Sequence, residues 1–139
     1  MRNAFEVIEH TADTGIIAYG GDIKQLFSNA ALALFSLITD VASIEEALQH
    51  NVEITSEDRD SLLVEWLNEL IYLFDAEHLL FKRCEFESLS HNHLKATCYG
   101  EKFKRSKHTI KTGVKAATYH MLEMDKDDGG YKARVIFDI

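Results

Sequence analysis

The run Glu9-His10-Thr11-Ala12-Asp13-Thr14-Gly15 holds the densest set of side chains in this chain that could bind a cation or move a proton. It falls where an apolar, strand-like segment ends, and Gly15 would permit a sharp backbone turn there. The same residues would also serve a plain turn, with Thr11 and Asp13 bonding to nearby backbone. The opposite end of the sequence adds a second group of oxygens. Asp138 and Ile139 place a carboxylate, the last main-chain oxygens and an α-carboxylate within one residue of each other. A set made only of oxygens suits a hard cation such as Ca²⁺ or Mg²⁺ better than zinc. A terminus can fray, but Val135, Ile136 and Phe137 are apolar up to the penultimate position and predict a strand docked in a sheet.

Other candidate groups are weaker. His91 and His93 flank Asn92 and would form a zinc pair only with further ligands, which no cysteine is placed to supply; a turn is the simpler role. His78 and His120 have no partner at a recognisable spacing. Cys84 and Cys98 are too few for a disulfide framework and are read as reduced thiols that pack in the core. Gly20-Gly21-Asp22 could open an anion site at a helix N-terminus, but the Asp22 charge would repel the anion and fits a cap instead. There is no glycine-rich phosphate loop, nucleophile elbow or kinase signature.

The elements that must position these residues follow from hydrophobic period. Ile23, Leu26, Phe27, Ala30, Ala31, Leu34, Phe35 and Ile38 make one helical stripe, entered through an Asp22/Gln25 capping pattern. Leu62, Leu63, Trp66, Leu67, Leu70, Ile71 and Phe74 make a second, preceded by Ser56, Glu57, Asp58 and Asp60, where negative charge favours a helix start. Ser43-Ile44-Glu45-Glu46 predicts a short helix by the same capping logic. Strands are predicted over Phe5–Glu9, Ile16–Tyr19 and Val52–Thr55.

From Arg83 onward two hairpins are expected, turning near Ser90–His93 and near Asp127–Gly130. Placing Cys84, Phe86, Leu94, Ala96 and Cys98 on the core side pairs Cys84 with Cys98 and Phe86 with Ala96, which calls for a loop with an odd number of residues. The second hairpin returns Tyr131–Ile139 along Ala117–Met124. Two amphipathic helices set against largely antiparallel strands define an α+β fold, with residues 1–139 as a single domain.

The chain has 139 residues, 46% of them hydrophobic and 27% charged, an ordinary globular composition. No apolar run approaches the ~20 residues of a membrane span, and residues 1–6 lack a signal-peptide layout, so a soluble cytoplasmic protein is expected. A net charge of −8 argues against holding nucleic acid through the overall field. Positive charge is nevertheless concentrated in Lys102, Lys104, Arg105, Lys107, Lys111 and Lys115, while the first 60 residues carry most of the excess acid. With Phe103, His108 and Tyr119 in or beside it, that basic segment could meet RNA or an acidic partner, or form a solvated loop.

The run Glu9–Gly20 closely resembles the N-terminal signature of the archease family. Leu62–Leu70 with Asp75, Gly100-Glu101 followed by Lys107-His108 and Val114–His120, and Val135–Ile139 resemble its later blocks in order. The likeness runs from about residue 5 to the end, and its first and last blocks are the specific ones. The resemblance implies a non-catalytic accessory protein of tRNA splicing and RNA repair. Its partner would be an RtcB-type RNA ligase, which joins RNA ends through a guanylate on an active-site histidine using GTP and Mn²⁺. The accessory protein would promote that guanylylation and multiple turnover, and tRNA or other RNA would be reached through the ligase.

The resemblance also implies a divalent cation, Ca²⁺ foremost with Mg²⁺ or Mn²⁺ as alternatives, on Asp13, Asp138 and Ile139, and a partner-facing role for Lys107. The family has an acidic residue before Val114, where this chain has Gly113. Two other classes use the same residues or none of them. A metal-dependent hydrolase built on Asp13 and Asp138 would turn over a phosphate or ester alone, and a general chaperone or binding module would be indifferent to chelation.

Overall fold

The structure is a computed structural model and describes residues 3–9 and 13–139. The strands are β1 (Phe5–Glu9), β2 (Thr14–Gly20), β3 (Leu48–Thr55), β4 (Leu79–Leu89), β5 (His93–Lys102), β6 (Ala116–Asp127) and β7 (Gly130–Asp138). The helices are α1 (Ile23–Ile38) and α2 (Arg59–Glu77). They build the α+β fold that the periodicity predicts, but with two antiparallel sheets, ordered β1-β2-β7-β6 and β3-β5-β4. Both helices touch both sheets: α1 packs on β2 and β4, and α2 on β6 and β3.

α1 starts at Asp22, whose carboxylate accepts the Gln25 N–H at 2.8 Å while the Gln25 side chain accepts the Gly21 N–H at 2.6 Å. Its predicted stripe is buried from Leu26 to Ile38, with Ile23 half-buried at the entry, and Ala33 and Leu37 outside that stripe are buried too, because the helix is covered on more than one side. α2 starts at Asp58, which accepts the Ser61 N–H at 2.8 Å. It ends at His78, a left-handed residue (φ 59°) whose N–H returns to the Phe74 carbonyl. His78 is thus an exposed cap.

Trp66 is fully buried, lies 5.0 Å from the Phe86 ring and donates its indole N–H to the Phe27 carbonyl at 3.1 Å. Trp66→Phe loses that bond and leaves a void, so urea denaturation should show a loss of about 2 kcal/mol.

Three local expectations are corrected. No helix starts at Ser43. A single 3-10 turn, Val41–Ser43, is capped by Asp40, and the Ala47 N–H then bonds the Gly100 carbonyl, drawing the chain into β3. Gly15 forms no turn; it lies buried inside β2, opposite Ile8 and Ile136. A Cβ there would come within 2.6 Å of the Ile136 Cδ1, so the missing side chain makes room for its cross-strand neighbour. In the β4–β5 hairpin Cys84 does oppose Cys98 and Phe86 opposes Ala96, yet Leu89 opposes Leu94 and the loop between them is even. A bulge between Phe86 and Ser88 absorbs the odd residue.

β7 returns along β6 as expected, interrupted between Thr118 and Glu123 by extra residues that include Met121 at φ 55°. Of the helices described, none is long and apolar enough to cross a membrane.

Candidate functional site

β2 and β7 are neighbours in the middle of the four-stranded sheet, with Thr14 opposite Phe137. Asp13 immediately precedes β2 and Asp138 closes β7, so both follow directly on the Thr14/Phe137 pair. Phe137 is fully buried, so alternation turns Asp138 toward the other face of the sheet. Asp13 is half-buried, Asp138 is exposed, and Ile139 is 43% exposed. His10 and Thr11 lie outside the described residues. Glu9 opposite Thr14 is exposed.

Among the described residues no three His, Cys, Asp or Glu side chains converge on one point. A cation here would therefore take the Asp13 and Asp138 carboxylates together with main-chain oxygens such as those of Ile139. The chemistry of that set fits a hard ion.

β6 fixes the flank of this corner. Ala116 pairs with Asp138 and Ala117 with Phe137. On the free side of β6 the Asn68 amide of α2 acts as a substitute strand. It donates to the Ala117 carbonyl at 3.2 Å and accepts the Ala117 N–H at 2.7 Å. An asparagine within an apolar helical stripe was the available signal for this clamp, but its partner is 49 residues away. Asn68→Ala removes both bonds and should cost about 1–3 kcal/mol, with faster hydrogen exchange at the Ala117 amide as the local readout.

The basic segment forms a second cluster. Glu101 is 3% exposed, and its Oε2 accepts three hydrogen bonds: from Lys107 Nζ at 2.7 Å, the Glu45 N–H at 2.7 Å and His108 Nε2 at 3.1 Å. His108 Nδ1 accepts the Lys104 N–H at 3.0 Å, which puts the ring proton on Nε2, facing Glu101. Burial pushes the Glu101 carboxyl up, but the hydrogen bonds from Lys107, Glu45 and His108 and the Lys107 charge outweigh it and hold it at about 2, against an ordinary 4.5. The same bond to Glu101, aided by Glu45 at 3.0 Å, raises the Lys107 ammonium.

Residues 103–115 link β5 to β6 without regular structure, pinned along their length. The Phe103 N–H bonds the His78 carbonyl, Thr39 Oγ1 donates to the Thr109 carbonyl at 2.7 Å, the Lys111 N–H reaches Ile38, and the Lys115 N–H bonds the Asp138 carbonyl at 2.8 Å. This one loop therefore runs from the Glu101 cluster to the Asp13/Asp138 corner. Lys107, at 28% side-chain exposure, sits at the first of these points between two carboxylates, and the structure does not bring it together with Asp13 or Asp138. Composition showed the lysines; nothing in their spacing showed that Glu101 holds one of them. Gly113 is exposed with open space around it.

The fold and site define a class: a small α+β domain of two antiparallel sheets, with Asp13 and Asp138 at the ends of neighbouring central strands and a pinned basic loop leading to β6. Comparison with known proteins gives the family. The chain belongs to the Archease protein family, whose profile matches residues 5–139. It is 46% identical to protein archease of Methanothermobacter thermautotrophicus, over 97% of this chain and 98% of that protein. It is 40% identical to protein archease of Sulfolobus acidocaldarius over the same shares. The solution structure of a Methanobacterium thermoautotrophicum protein superposes with a TM-score of 0.81 at 43% identity, covering 98% of this chain and 99% of that one. A Thermotoga maritima protein described as an archease and possible chaperone gives 0.65 at 25% identity, covering 100% and 98%.

Proposed function

We propose that this protein is a non-catalytic activator of an RtcB-type RNA ligase in tRNA splicing and RNA repair. It would raise ligase guanylylation and sustain multiple turnover. What supports this reading is the family match over residues 5–139, with Asp13 immediately before β2 and Asp138 closing its neighbour β7.

Asp13, Asp138 and the Ile139 main chain hold a divalent cation in this reading, Ca²⁺ foremost. When bound, it supplies fixed positive charge next to the partner. The residues do the rest. Asp13 and Asp138 present an ordered oxygen surface. Asn68 and the Lys115 N–H keep β6 and β7 from shifting beneath it. Lys107 faces the partner from a position set by Glu101 and Glu45. Among the described residues no general base stands beside an open catalytic centre, which favours an activator reading over a hydrolase.

The test mixes the protein with an RtcB-type ligase, GTP and Mn²⁺, and measures guanylylation and turnover. A rate that rises with the amount of this protein supports the proposal, and an unchanged rate across all ratios overturns it. A general chaperone, the role suggested for the Thermotoga relative, would instead protect the ligase from aggregation without changing its guanylylation.

A further inference from the structure

Cys84 and Cys98 stand directly opposite each other on β4 and β5, with their sulfurs 3.1 Å apart. Both are free thiols; Cys98 is fully buried and Cys84 is half-buried. Their pairing lies on a short stretch of ladder, Arg83–Phe86, bounded by register shifts at Phe81/Arg83 and Phe86/Ser88. The stretch is held from both faces of the sheet. The Arg83 guanidinium bonds Glu46 and Glu85 and lies 4.1 Å above the Tyr99 ring, and Ser28 of α1 donates to the Cys84 carbonyl at 3.3 Å. Two sulfurs fixed this close on facing strands need little movement to bond. Cys84, the partly exposed member of the pair, lines a narrow cleft with Ser28, Leu32, Phe81 and Arg83.

We propose that Cys84 and Cys98 form a reversible oxidation site, at which a peroxide converts the facing thiols into a cross-strand disulfide. The Cys84 thiolate attacks one peroxide oxygen, the O–O bond breaks, and Cys84 becomes a sulfenic acid with release of water. The Cys98 sulfur then attacks the Cys84 sulfur, its proton leaves with the displaced hydroxide as a second water, and the S–S bond closes. The peroxide is reduced, and the protein loses two electrons and two protons. The Cys98 neighbour and burial hold the Cys84 thiol well above its ordinary range, so the first step is slow near neutrality and quickens as pH rises. This site is independent of the activator reading.

The experiment treats the folded protein with hydrogen peroxide, blocks remaining thiols with iodoacetamide after unfolding, and maps tryptic peptides by mass spectrometry. Residues 84–95 and 96–102 should appear as one linked species lacking two hydrogens and should separate on adding dithiothreitol. With Cys98→Ser, Cys84 should accumulate as a sulfenic acid that dimedone traps. With Cys84→Ser, Cys98 should stay unoxidised at the same dose. The proposal is overturned if the wild type gives sulfinic acid or intermolecular dimers without the linked pair. It is equally overturned if the linked chain melts at a lower temperature than the reduced one, since the native register would then have had to move.

Discussion

Asp138→Asn and Asp13→Asn should each bring stimulation of the ligase down to the level seen without the protein, while the chain stays folded. Loss of a residue that merely supports a metal ligand costs about 10–100-fold in affinity, so loss of a ligand should cost at least about 100-fold. Isothermal titration with Ca²⁺ measures that directly. Folding is spared because Asp138 is exposed and Asp13 half-buried, and exposed changes usually stay within about 0.5 kcal/mol. Thermal stability separates this outcome from simple damage. In chelator each variant should melt close to the wild-type temperature, because only a partly or fully exposed charge is removed. Ca²⁺ should raise the melting temperature of the wild type, as a ligand that binds only the folded state must, and leave the variants unmoved. If both variants stimulate the ligase fully, the corner has no part in activation.

The second large effect belongs to Glu101. Glu101→Leu leaves the Glu45 N–H and the buried His108 N–H without an acceptor and the Lys107 ammonium with only the exposed Glu45. Breaking a buried charged pair costs about 3–5 kcal/mol, and the partial exposure of Lys107 lets water recover some of it, so a loss of roughly 2–4 kcal/mol is expected by urea denaturation at pH 7. Glu101→Gln keeps two acceptor lone pairs and should cost less. The pH dependence follows from the carboxyl being at about 2 in the folded chain and at its ordinary 4.5 when unfolded. A lowered folded value means that the contribution is complete above 4.5 and is lost as pH falls toward 2. Wild type and Glu101→Gln should therefore differ most at neutral pH and converge between pH 4.5 and 2. Parallel curves across that range would show that the carboxylate charge contributes nothing. The same variants should loosen residues 103–115, seen as faster amide exchange at Lys107 and His108.

Much of this architecture was legible in residue order, and the exceptions share a cause. Both helices, the Asp22 cap, the acidic start of α2, the two hairpins and the Cys84–Cys98 pairing follow from period, helix-terminus chemistry and the two faces of a strand. Each is decided by residues near one another in the chain. The bulge between Phe86 and Ser88, the place of Gly15 inside a strand and the absence of a helix at Ser43 are decided by what lies across from them: Ser88 opposes Lys95, Gly15 lies under Ile136, and Glu45 and Ala47 bond Glu101 and Gly100.

The candidate site divides in the same way. The oxygens of Asp13, Asp138 and Ile139 could be named as hard-cation donors from their types alone, and the family likeness pointed to the same positions. That Asp13 and Asp138 lie at the ends of neighbouring strands depends on β2 and β7 pairing across more than a hundred residues of chain, which only packing of the whole sheet sets. The basic segment shows most clearly what order cannot reveal. Its charge is plain in the sequence, but the stabilisation of Lys107 comes from a carboxylate removed from water, and burial is a property of the folded molecule.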